Sequence, residues 1–428
     1  QVLACSMAGR PPDPEMARCT HGVDARPLLQ EDHLVPQVKS PFDNPSPWTT
    51  YEIFKTIFLG ATLFPIRLVL LLTTVILQCL YCRLILIGTK LENDRGLLYH
   101  PQAFPAWRRA LLWPVAITNR LIVLCLGYWH IRVLDRRKRK DCRPNIIVVA
   151  SHRTFIDPFV LACVFPPLPS AVAKAELLKL PLLAYTGIAS QSIMVDRKNP
   201  NSKTACKEAI AARAHPSWNG SRTVIFVEGT TTNGEVLIQF KLGAFLPGQP
   251  VQPVLLKYPW RHYDPSWIGG NSNLGVAIFR MMTQFANYCE IEILEPYFPS
   301  DAELRDPNLY ANNVRSEMAQ ILGVSTTEHS YSDIFFSFAA TRANVSMDFE
   351  VEQMKSLLQM DDTQLKDLLK CFQRFDTNHD GCIEIHEFTA ALQGCELGSH
   401  RHKASMQTLF SFFDIDGNGW IGYRELVQ

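Results

Sequence analysis

The chain has 428 residues, more than the roughly 100–200 of one domain, so we expect two or three folded units, and its 47% hydrophobic content excludes a mostly disordered protein. Its 42 basic and 41 acidic residues nearly cancel, which excludes a nucleic-acid-binding polycation. The charge is uneven, however, because residues 347–428 contain 14 acidic and 7 basic residues, a net −7 that leaves +8 for residues 1–346 and indicates two separate modules.

The N-terminal part changes abruptly from polar to apolar. Residues 1–50 are rich in Pro, Asp and Gln without an apolar period, which predicts a disordered leader. Residues 53–88 are apolar except for Lys55, Arg67 and Arg83. This block fits either one tilted span with arginine ends reaching the interfaces or a hairpin in one leaflet that bends near Pro65.

A second apolar stretch, residues 110–134, contains Arg120 and interfacial aromatic residues and precedes five consecutive cations at 136–140. Aromatic residues with arginine are typical of the headgroup zone, so we expect an interfacial helix and cations that hold anionic headgroups. The sequence thus predicts membrane-associated helices and a basic segment over residues 51–140.

From residue 144 the pattern becomes α/β. Short apolar runs at 145–150, 192–197, 223–230 and 251–258 predict strands, and residues 202–214 predict an amphipathic helix between them. Strands that alternate with helices favour a mostly parallel sheet flanked by helices, with the chemistry at the strand ends. We assign residues 141–335 to this domain.

Two polar residues five apart follow the first of these strands. In SHRTFIDP, His152 can act as a base whose second ring nitrogen is held by Asp157, a pair able to remove a proton from an attacking hydroxyl. His130 and Asp135 have the same spacing but lie in an aromatic segment with no strand before it. We therefore take His152 and Asp157 as the candidate catalytic pair and His130 as interfacial.

Other polar residues follow the later strands. Arg197 closes the strand SIMVDR, and the strand TVIFV ends in Glu228, Gly229 and Thr230, where glycine permits a tight turn and close approach of a substrate. Lys241 follows in FKLGAF. Each alone could be a surface charge or a turn residue, so the hypothesis of a shared site depends on their order at strand ends.

The segments SHRTFID, SIMVDR, FVEGT and VQPVLL resemble, in order, the four motifs of the glycerophospholipid (HxxxxD) acyltransferase superfamily over roughly residues 110–300. The stretch from FVEGT to VLLKYP is most similar to the lysophosphatidylcholine acyltransferases, which also carry C-terminal EF-hands. The resemblance implies an α/β acyltransferase domain, acyl transfer from acyl-CoA to a lysophospholipid, and an endoplasmic reticulum membrane location, with Golgi membrane or lipid droplets as alternatives.

The resemblance also implies roles for single residues. His152 would be the base, Asp157 its orienter, and the acceptor site would include Arg197, Glu228, Gly229, Thr230 and Lys241. Lysophosphatidate-type members usually have arginine where this chain has Thr231, and the missing guanidinium favours a phosphodiester headgroup such as phosphocholine. Two alternatives stay open: acetyl transfer to a lyso-ether lipid, and a catalytically dead calcium-sensing membrane adaptor.

The acidic tail contains two twelve-residue loops, 376–387 and 414–425, with oxygen ligands at calcium-binding spacing and Gly381 and Gly419 at position 6. They predict an EF-hand pair over residues 336–428, truncated at its C-terminal end. The expected partners are acyl-CoA, a lysophospholipid, the lipid bilayer and calcium, and no nucleic acid. The predicted calcium ligands are Asp376, Asn378, Asp380, Cys382, Glu384 and Glu387 in the first loop, and Asp414, Asp416, Asn418, Trp420 and Glu425 in the second.

Overall fold

A computed structural model describes residues 41, 48–196, 199, 201–268, 273–329, 371–378, 380–393, 403–414 and 419–422. The chain divides into two compact units, Val38–Tyr331 and a second that comprises Gln1–Gln37 and Ser332–Gln428. Most of the predicted leader therefore lies outside the described residues.

The larger unit alternates strands and helices as the sequence predicts. Its helices are α1 Thr50–Ile85, α2 Ala106–Ala110, α3 Trp113–Cys125, α4 Asp157–Val164, α5 Pro181–Ala189, α6 Ser202–Ala214, α7 Leu274–Met282, α8 Asp301–Arg305 and α9 Pro307–Leu322. Its strands are β1 Glu92–Asp94, β2 Leu97–Tyr99, β3 His130–Asp135, β4 Ile146–Ala150, β5 Ser170–Lys174, β6 Ile193–Val195, β7 Thr223–Phe226, β8 Val236–Leu237, β9 Val251–Lys257, β10 Tyr288–Ile293 and β11 Ser325–Thr326.

Within the described residues, nine strands form one mixed sheet in the order β1-β2-β6-β5-β7-β4-β9-β10-β3. The central strands β6, β5, β7, β4 and β9 run parallel, and β10 is antiparallel to β9. The carboxyl ends of the five central strands consequently meet at one edge of the sheet. The predicted fold class is confirmed.

Helices cover both faces of the sheet, as the fully apolar strand β4 shows. Its residues Ile146, Val148 and Ala150 pack into a core with α6 and α9, whereas Ile147 and Val149 pack into a second core with α3, α4 and α7. Because successive side chains of a strand point to opposite faces, a strand covered on both sides must be apolar throughout.

The apolar block 53–88 forms a single continuous helix, α1, that contains Pro65. The hairpin alternative with a bend at Pro65 was therefore wrong. Among the described helices, α1 is the one long and apolar enough to cross a membrane by length and composition. At about 1.5 Å per residue it extends for about 54 Å, well beyond a hydrocarbon core about 30 Å thick.

Several polar residues of α1 are buried against the domain, while many of its apolar residues are exposed. Arg67 is buried and donates hydrogen bonds to the carbonyls of Met282 (2.7 Å), Gln284 (2.6 Å) and Phe285 (3.2 Å). Gln78, two turns from the C-terminal end of α1, donates hydrogen bonds to Asn119 and Thr186. In a core helix of a soluble protein the apolar residues are buried and the polar residues exposed, which is the reverse of α1. The buried polar residues attach α1 to the domain at several points.

The prediction of one interfacial helix over 110–134 was only partly correct. Helix α3 ends at Cys125, Gly127 adopts a φ of +91°, and residues 130–135 form β3 at the edge of the sheet, parallel to β10. The alternating side chains of HIRVLD are compatible with a strand, and pairing with β10 makes this segment a strand.

The cationic run 136–140 follows β3 and is partly neutralised by the domain's own carboxylates. Arg136 forms an ion pair with Glu292, and Arg137 forms one with Asp135 at 2.8 Å. Trp129, at the other end of β3, lies beside Arg67 of α1. One strand of six residues, about 20 Å long, therefore separates the run from α1.

The described part of the smaller unit includes the short strands β12 Cys382–Glu384 and β13 Trp420–Gly422 and the helices α10 Ile385–Gln393 and α11 Lys403–Phe413. The strands pair antiparallel, with Ile383 opposite Ile421, so the two predicted loops contact each other through their eighth positions. Phe388 of α10 packs against Phe410 and Phe413 of α11.

Candidate active site

The candidate catalytic pair lies at the carboxyl end of β4. The His152 Nδ1 and the Asp157 Oδ2 are 2.7 Å apart, and Asp157 is the first residue of α4. A short turn between strand and helix brings residues five apart into contact, which an extended strand cannot do. The structure thus places these two side chains as the sequence predicts.

The Asp157 carboxylate is fully buried and held from several sides. Its Oδ2 also accepts hydrogen bonds from the backbone N–H groups of Arg153 (2.9 Å) and Thr154 (3.2 Å). Its Oδ1 accepts one from the Tyr258 hydroxyl at 2.5 Å. Such a carboxylate is fixed in orientation, so it can fix the imidazole in turn.

Sequence reasoning missed Tyr258. It directly follows β9, the neighbour of β4 in the sheet, at the same edge as the polar motifs. The available signal was its position immediately after the fourth motif strand, where the hydroxyl can reach across to Asp157.

The imidazole of His152 is held on its face as well as at its edge. Its ring stacks on Phe226, at the end of β7, with centroids 4.0 Å apart and an interplanar angle of 21°. The backbone N–H of His152 donates to the Glu228 Oε2 at 2.7 Å. With Nδ1 engaged by Asp157, the Nε2 atom is left to accept a proton from a substrate.

Glu228 is fully buried, and burial raises its pKa to about 8, although hydrogen bonds from the His152 and Ile238 backbones act in the opposite direction. In the unfolded chain the same group would titrate near 4.5. The carboxyl therefore links the turn after β7 to the turn that carries His152, and it does so in its protonated form at neutral pH.

The shifted pKa of Glu228 makes stability depend on pH. Between pH 4.5 and 8 the folded state holds one proton more than the unfolded state, so stability should fall as pH rises through this window, by up to about 1.4 kcal/mol per pH unit. Glu228→Gln removes the titration and should flatten that slope. Thermal unfolding of both proteins from pH 5 to 8 provides the test, and equal slopes would contradict this role.

Gly229 and Lys241 lie in direct contact. Gly229 has a φ of +72°, and a Cβ at this position would lie 2.4 Å from the Lys241 Cε and 2.8 Å from its Nζ. The positive φ favours glycine here, and a larger residue would also displace the end of the Lys241 side chain. The Lys241 backbone N–H also donates to the Val227 carbonyl at 2.7 Å, which fixes FKLGAF beside the strand end.

The remaining predicted acceptor residues divide between described and undescribed positions. Thr230 is half-buried beside Gly229, whereas Arg197 lies outside the described residues. Thr231 is buried, and its hydroxyl donates a hydrogen bond to the Trp267 carbonyl. Its side chain is thus used to hold the loop after β9.

Arg153, inside the first motif, points to the same loop. Its guanidinium donates to Asp264 (3.1 Å) and to Ser266 (3.0 Å), and its carbonyl accepts from the Trp267 N–H at 2.7 Å. With Thr231, this network connects the turns after β4 and β7 to residues 264–267.

His130 and Asp135, which share the HxxxxD spacing, form no pair. They lie at the two ends of β3, five residues and about 17 Å apart, and on opposite faces of the strand. Asp135 instead accepts hydrogen bonds from Arg137. The local fold therefore brings His152 and Asp157 into contact and keeps His130 and Asp135 apart.

Comparison with known proteins agrees with this geometry. The family model described as Acyltransferase matches residues 130–257, and an EF-hand domain pair matches residues 365–428. Lysophosphatidylcholine acyltransferase of Drosophila melanogaster is 33% identical over 380 residues, which cover 88% of this chain and 68% of that protein. The chain belongs to the lysophosphatidylcholine acyltransferase family.

One further relative and one solved structure are also similar to this chain. Lysophosphatidylcholine acyltransferase 2B of Rattus norvegicus is 30% identical over 432 residues, covering 92% of this chain and 81% of that protein. The solved structure of the 1-acyl-sn-glycerophosphate (LPA) acyltransferase PlsC from Thermotoga maritima is 19% identical, covers 64% of this chain and 95% of that one, and has a TM-score of 0.38, a likeness that supports no argument.

In this lysophosphatidylcholine acyltransferase family member, the first EF-hand loop has the glycine turn that is typical of calcium-binding loops. Gly381 adopts a φ of +89°, and its N–H donates to the Asp376 Oδ2 at 3.0 Å. Glu387 is buried and accepts hydrogen bonds from the backbone N–H groups of Thr377, Asn378 and Glu384. These bonds fix the Asp376 and Glu387 carboxylates against the backbone of the loop.

The predicted calcium ligands are only partly described. In the first loop, Asn378, Asp380, Cys382 and Glu384 are all placed; in the second, Asp414 accepts from the Gly419 N–H at 3.0 Å and Trp420 lies in β13, while Asp416, Asn418 and Glu425 lie outside the described residues. Within the described part of the chain, no three carboxylate, His or Cys groups stand close enough to hold a metal ion without rearrangement. The Asp376 and Glu387 carboxylates accept hydrogen bonds from backbone amides of the loop, and Glu384 pairs with His386 at 2.9 Å.

Tyr258→Phe should lower kcat by about 10-fold or more, because a hydrogen bond to a charged group contributes roughly 1.5–3 kcal/mol. The KM for acyl-CoA should not change, since Tyr258 is buried behind Asp157. Released coenzyme A thiol gives kcat, and circular dichroism verifies the fold. A kcat within about twofold of wild type would contradict a positioning role for Tyr258.

Proposed function

We propose that this protein transfers an acyl group from acyl-CoA to the free hydroxyl of a lysophospholipid, with lysophosphatidylcholine as the preferred acceptor. The observation that carries the proposal is the His152–Asp157 pair, assembled at the end of β4 with Asp157 buried and the His152 Nε2 left for a substrate. Membership of the lysophosphatidylcholine acyltransferase family supports this substrate class.

The reaction follows from these positions. The His152 Nε2 takes the proton of the acceptor hydroxyl, while Asp157 stabilises the imidazolium that forms. The hydroxyl oxygen attacks the thioester carbonyl, an ester bond forms as the carbon–sulfur bond breaks, and the proton passes from His152 to the coenzyme A thiolate. Glu228, Gly229, Thr230 and Lys241, with Arg197, are proposed to surround the acceptor beside the imidazole.

The neutral Thr231 supports a phosphodiester acceptor. Its buried hydroxyl is committed to the Trp267 carbonyl, so this position offers no guanidinium to grip a phosphomonoester. Acetyl transfer to a lyso-ether lipid would use the same residues with an acetyl donor and an ether-linked acceptor. An inactive adaptor is disfavoured because the base, its orienter and Glu228 remain connected to one another.

The decisive experiment measures released coenzyme A thiol from purified full-length protein given a panel of lysolipids and acyl-CoA or acetyl-CoA donors. We expect turnover with long-chain acyl-CoA and a higher kcat/KM for lysophosphatidylcholine than for lysophosphatidate. Turnover with acetyl-CoA but not with long-chain acyl-CoA would show that acetyl-CoA is the donor. No turnover with any combination, in protein that is folded, would reject the enzymatic proposal.

The exposed apolar residues of α1 support attachment to a membrane of the endoplasmic reticulum, where acyl-CoA and lysophospholipids would both be available. Because buried polar residues attach α1 to the domain, the catalytic site is proposed to lie at the bilayer surface. Lysophospholipid could then reach His152 without leaving the membrane interface.

The EF-hand pair is proposed to bind Ca²⁺ and to take no part in the chemistry. Asp376, Asp380, Glu384 and Glu387 would hold the ion by their carboxylates, Asn378 by its amide oxygen and Cys382 by its backbone carbonyl. The second loop offers four of these oxygen side chains against five in the first, since Gly422 stands at its ninth position. The first loop should therefore bind more tightly.

Glu387→Gln should weaken calcium binding at the first loop strongly, from the roughly 10⁻⁷–10⁻⁵ M range of sensor loops, because it removes the bidentate carboxylate. Basal acyl transfer should be unchanged. Calorimetric titration of the full chain with Ca²⁺ and an activity assay in chelator test the two statements, with Glu396→Gln as an acidic control outside the loops. Complete loss of turnover in chelator by folded protein would show that the metal is catalytic.

A further inference from the structure

The connection from β3 to β4, residues 136–143, contains cations of two kinds. Arg136 and Arg137 each form an ion pair with a carboxylate of the sheet. Asp141 is the one acidic residue of the connection. The other cations are exposed and form no ion pair within the part of the chain that the structure describes, so their charge is available to a ligand. We call these four residues the basic rim: Lys138, Arg139, Lys140 and Arg143.

Arg222, directly before β7, adds to the positive charge at this place. Burial and the like charges of Arg137 and Arg143 lower its pKa to about 10. Glu295 accepts a hydrogen bond from the backbone of the basic rim and supplies a carboxylate beside it. The basic rim and Arg222 together still outnumber Asp141 and Glu295 by three charges, so a bound anion would relieve the repulsion between the cations.

The basic rim lies at the border of the sheet face on which α1 packs. Phe64 and Val75 of α1 contact the core that this face forms with α3, α4 and α7. Ile131 of β3 contacts the same core, so Trp129 and Val133, two positions to either side, point to this face as well. Both are exposed. Strand β3 therefore leads along one exposed face from α1 to the basic rim.

The same face presents apolar and aromatic side chains to its surroundings. Leu77 of α1 and Ile117 of α3 are exposed, as are the indoles of Trp113 and Trp129. On a membrane surface, apolar side chains enter the acyl region while aromatic residues and cations at the border lie among the headgroups. A soluble acidic protein would need the cations but not the apolar face beside them. The surroundings of the basic rim therefore favour a lipid headgroup as its anion.

The basic rim is separate from the candidate active site. His152 follows the carboxyl end of β4, whereas the basic rim follows the carboxyl end of β3. Strand β3 is parallel to β10, which is antiparallel to β9, and β9 is parallel to β4. The two strand ends consequently lie at opposite edges of the sheet, so an anion at the basic rim does not contact the reacting groups.

We propose that the basic rim binds the headgroups of anionic phospholipids in the membrane to which α1 attaches the protein. Its ammonium and guanidinium groups contact the phosphate and carboxylate oxygens of these headgroups. Together with α1, this second contact fixes the orientation of the domain on the membrane surface. The inference rests on the membrane attachment proposed above and is independent of the acyl-transfer reaction.

The test reconstitutes full-length protein into phosphatidylcholine vesicles that contain a small fraction of tail-labelled phosphatidylserine or, in a separate arm, tail-labelled phosphatidylcholine. Energy transfer from tryptophan to the label measures the enrichment of each lipid around the protein. Phosphatidylserine should be enriched at least about 5-fold over phosphatidylcholine in low salt, the effect of one cation near an anionic surface. The enrichment should largely disappear in about 0.5 M salt, because exposed charges are screened.

Two triple variants locate the site. The first replaces three cations of the basic rim and should bring the enrichment to within about twofold of that of phosphatidylcholine: Arg139→Gln, Lys140→Gln and Arg143→Gln. The matched control removes the same charge from exposed cations on α6 and α8, and should retain the enrichment of wild type: Lys203→Gln, Lys207→Gln and Arg305→Gln. Circular dichroism verifies that both variants are folded.

Four outcomes would overturn the proposal. Equal enrichment of the two lipids around wild type, in protein that still turns over lysolipid, would remove the site and leave the proposed enzymatic function intact. Equal loss in both triple variants would attribute the enrichment to net charge. A greater loss in phosphate than in chloride of the same ionic strength would make it a site for free phosphate. Binding of polyglutamate without enrichment of phosphatidylserine would make the partner an acidic protein.

Discussion

His152→Ala is expected to lower kcat by about 10²–10⁴-fold while the protein stays folded and membrane-bound, because loss of a general base has an effect of this size. The imidazole is partly exposed and stacked on Phe226, so its removal leaves the sheet and the Asp157 hydrogen bonds from Arg153, Thr154 and Tyr258 in place. Released coenzyme A thiol gives the rate, and circular dichroism verifies the fold.

His130→Ala is the matched control for this experiment. It alters the other histidine with HxxxxD spacing, but that side chain lies on the edge strand β3, at the opposite end from Asp135. Its activity should stay within about twofold of wild type. If His130→Ala were the more damaging change, the assignment of the catalytic histidine would be wrong.

Replacing Phe58, Val69 and Leu77 together by aspartate should release most of the protein from membranes into the soluble fraction. These side chains are 60%, 64% and 58% exposed along α1, and a charged residue costs about 2.5–3.5 kcal/mol at the centre of a membrane-inserted helix. The substitutions leave the buried face of α1 and its Arg67 hydrogen bonds unchanged. Sedimentation of membranes followed by immunoblotting measures the distribution.

The control places the same three charges on apolar residues far from α1. Phe298, Leu304 and Leu309 are 49%, 50% and 38% exposed at or near α8 and α9, which pack with the core on the other face of the sheet. This variant should sediment with membranes like wild type. Equal release of both variants would attribute the effect to misfolding, and extraction of wild type by high salt alone would reject apolar insertion.

The sequence predicted much of the fold because local patterns there agree with the tertiary structure. The strand at β4 and the helix at α6 are found where their apolar periods place them. The prediction from sequence failed over residues 130–135, because pairing with β10 makes this segment, whose pattern is ambiguous, an edge strand. Secondary structure of this kind depends on a partner distant in the chain.

The features of the candidate site also divide into those that the sequence could predict and those that it could not. His152, Asp157 and Glu228 could be selected from the sequence because they follow the strands β4 and β7, and parallel strands end at one edge of a sheet. The geometry of the pair, the stacking of Phe226 on His152 and the hydrogen bond from Tyr258 could not, because each joins residues that only the order β7-β4-β9 makes neighbours.

The sequence by itself determined that this protein has an apolar N-terminal block, an HxxxxD acyltransferase domain and an acidic EF-hand pair, since composition and motif spacing are local properties. Only the tertiary structure decided which of two HxxxxD matches forms a pair, and that α1 is one helix whose polar face is attached to the domain. These outcomes depend on burial and on contacts between distant segments, and a linear pattern contains neither.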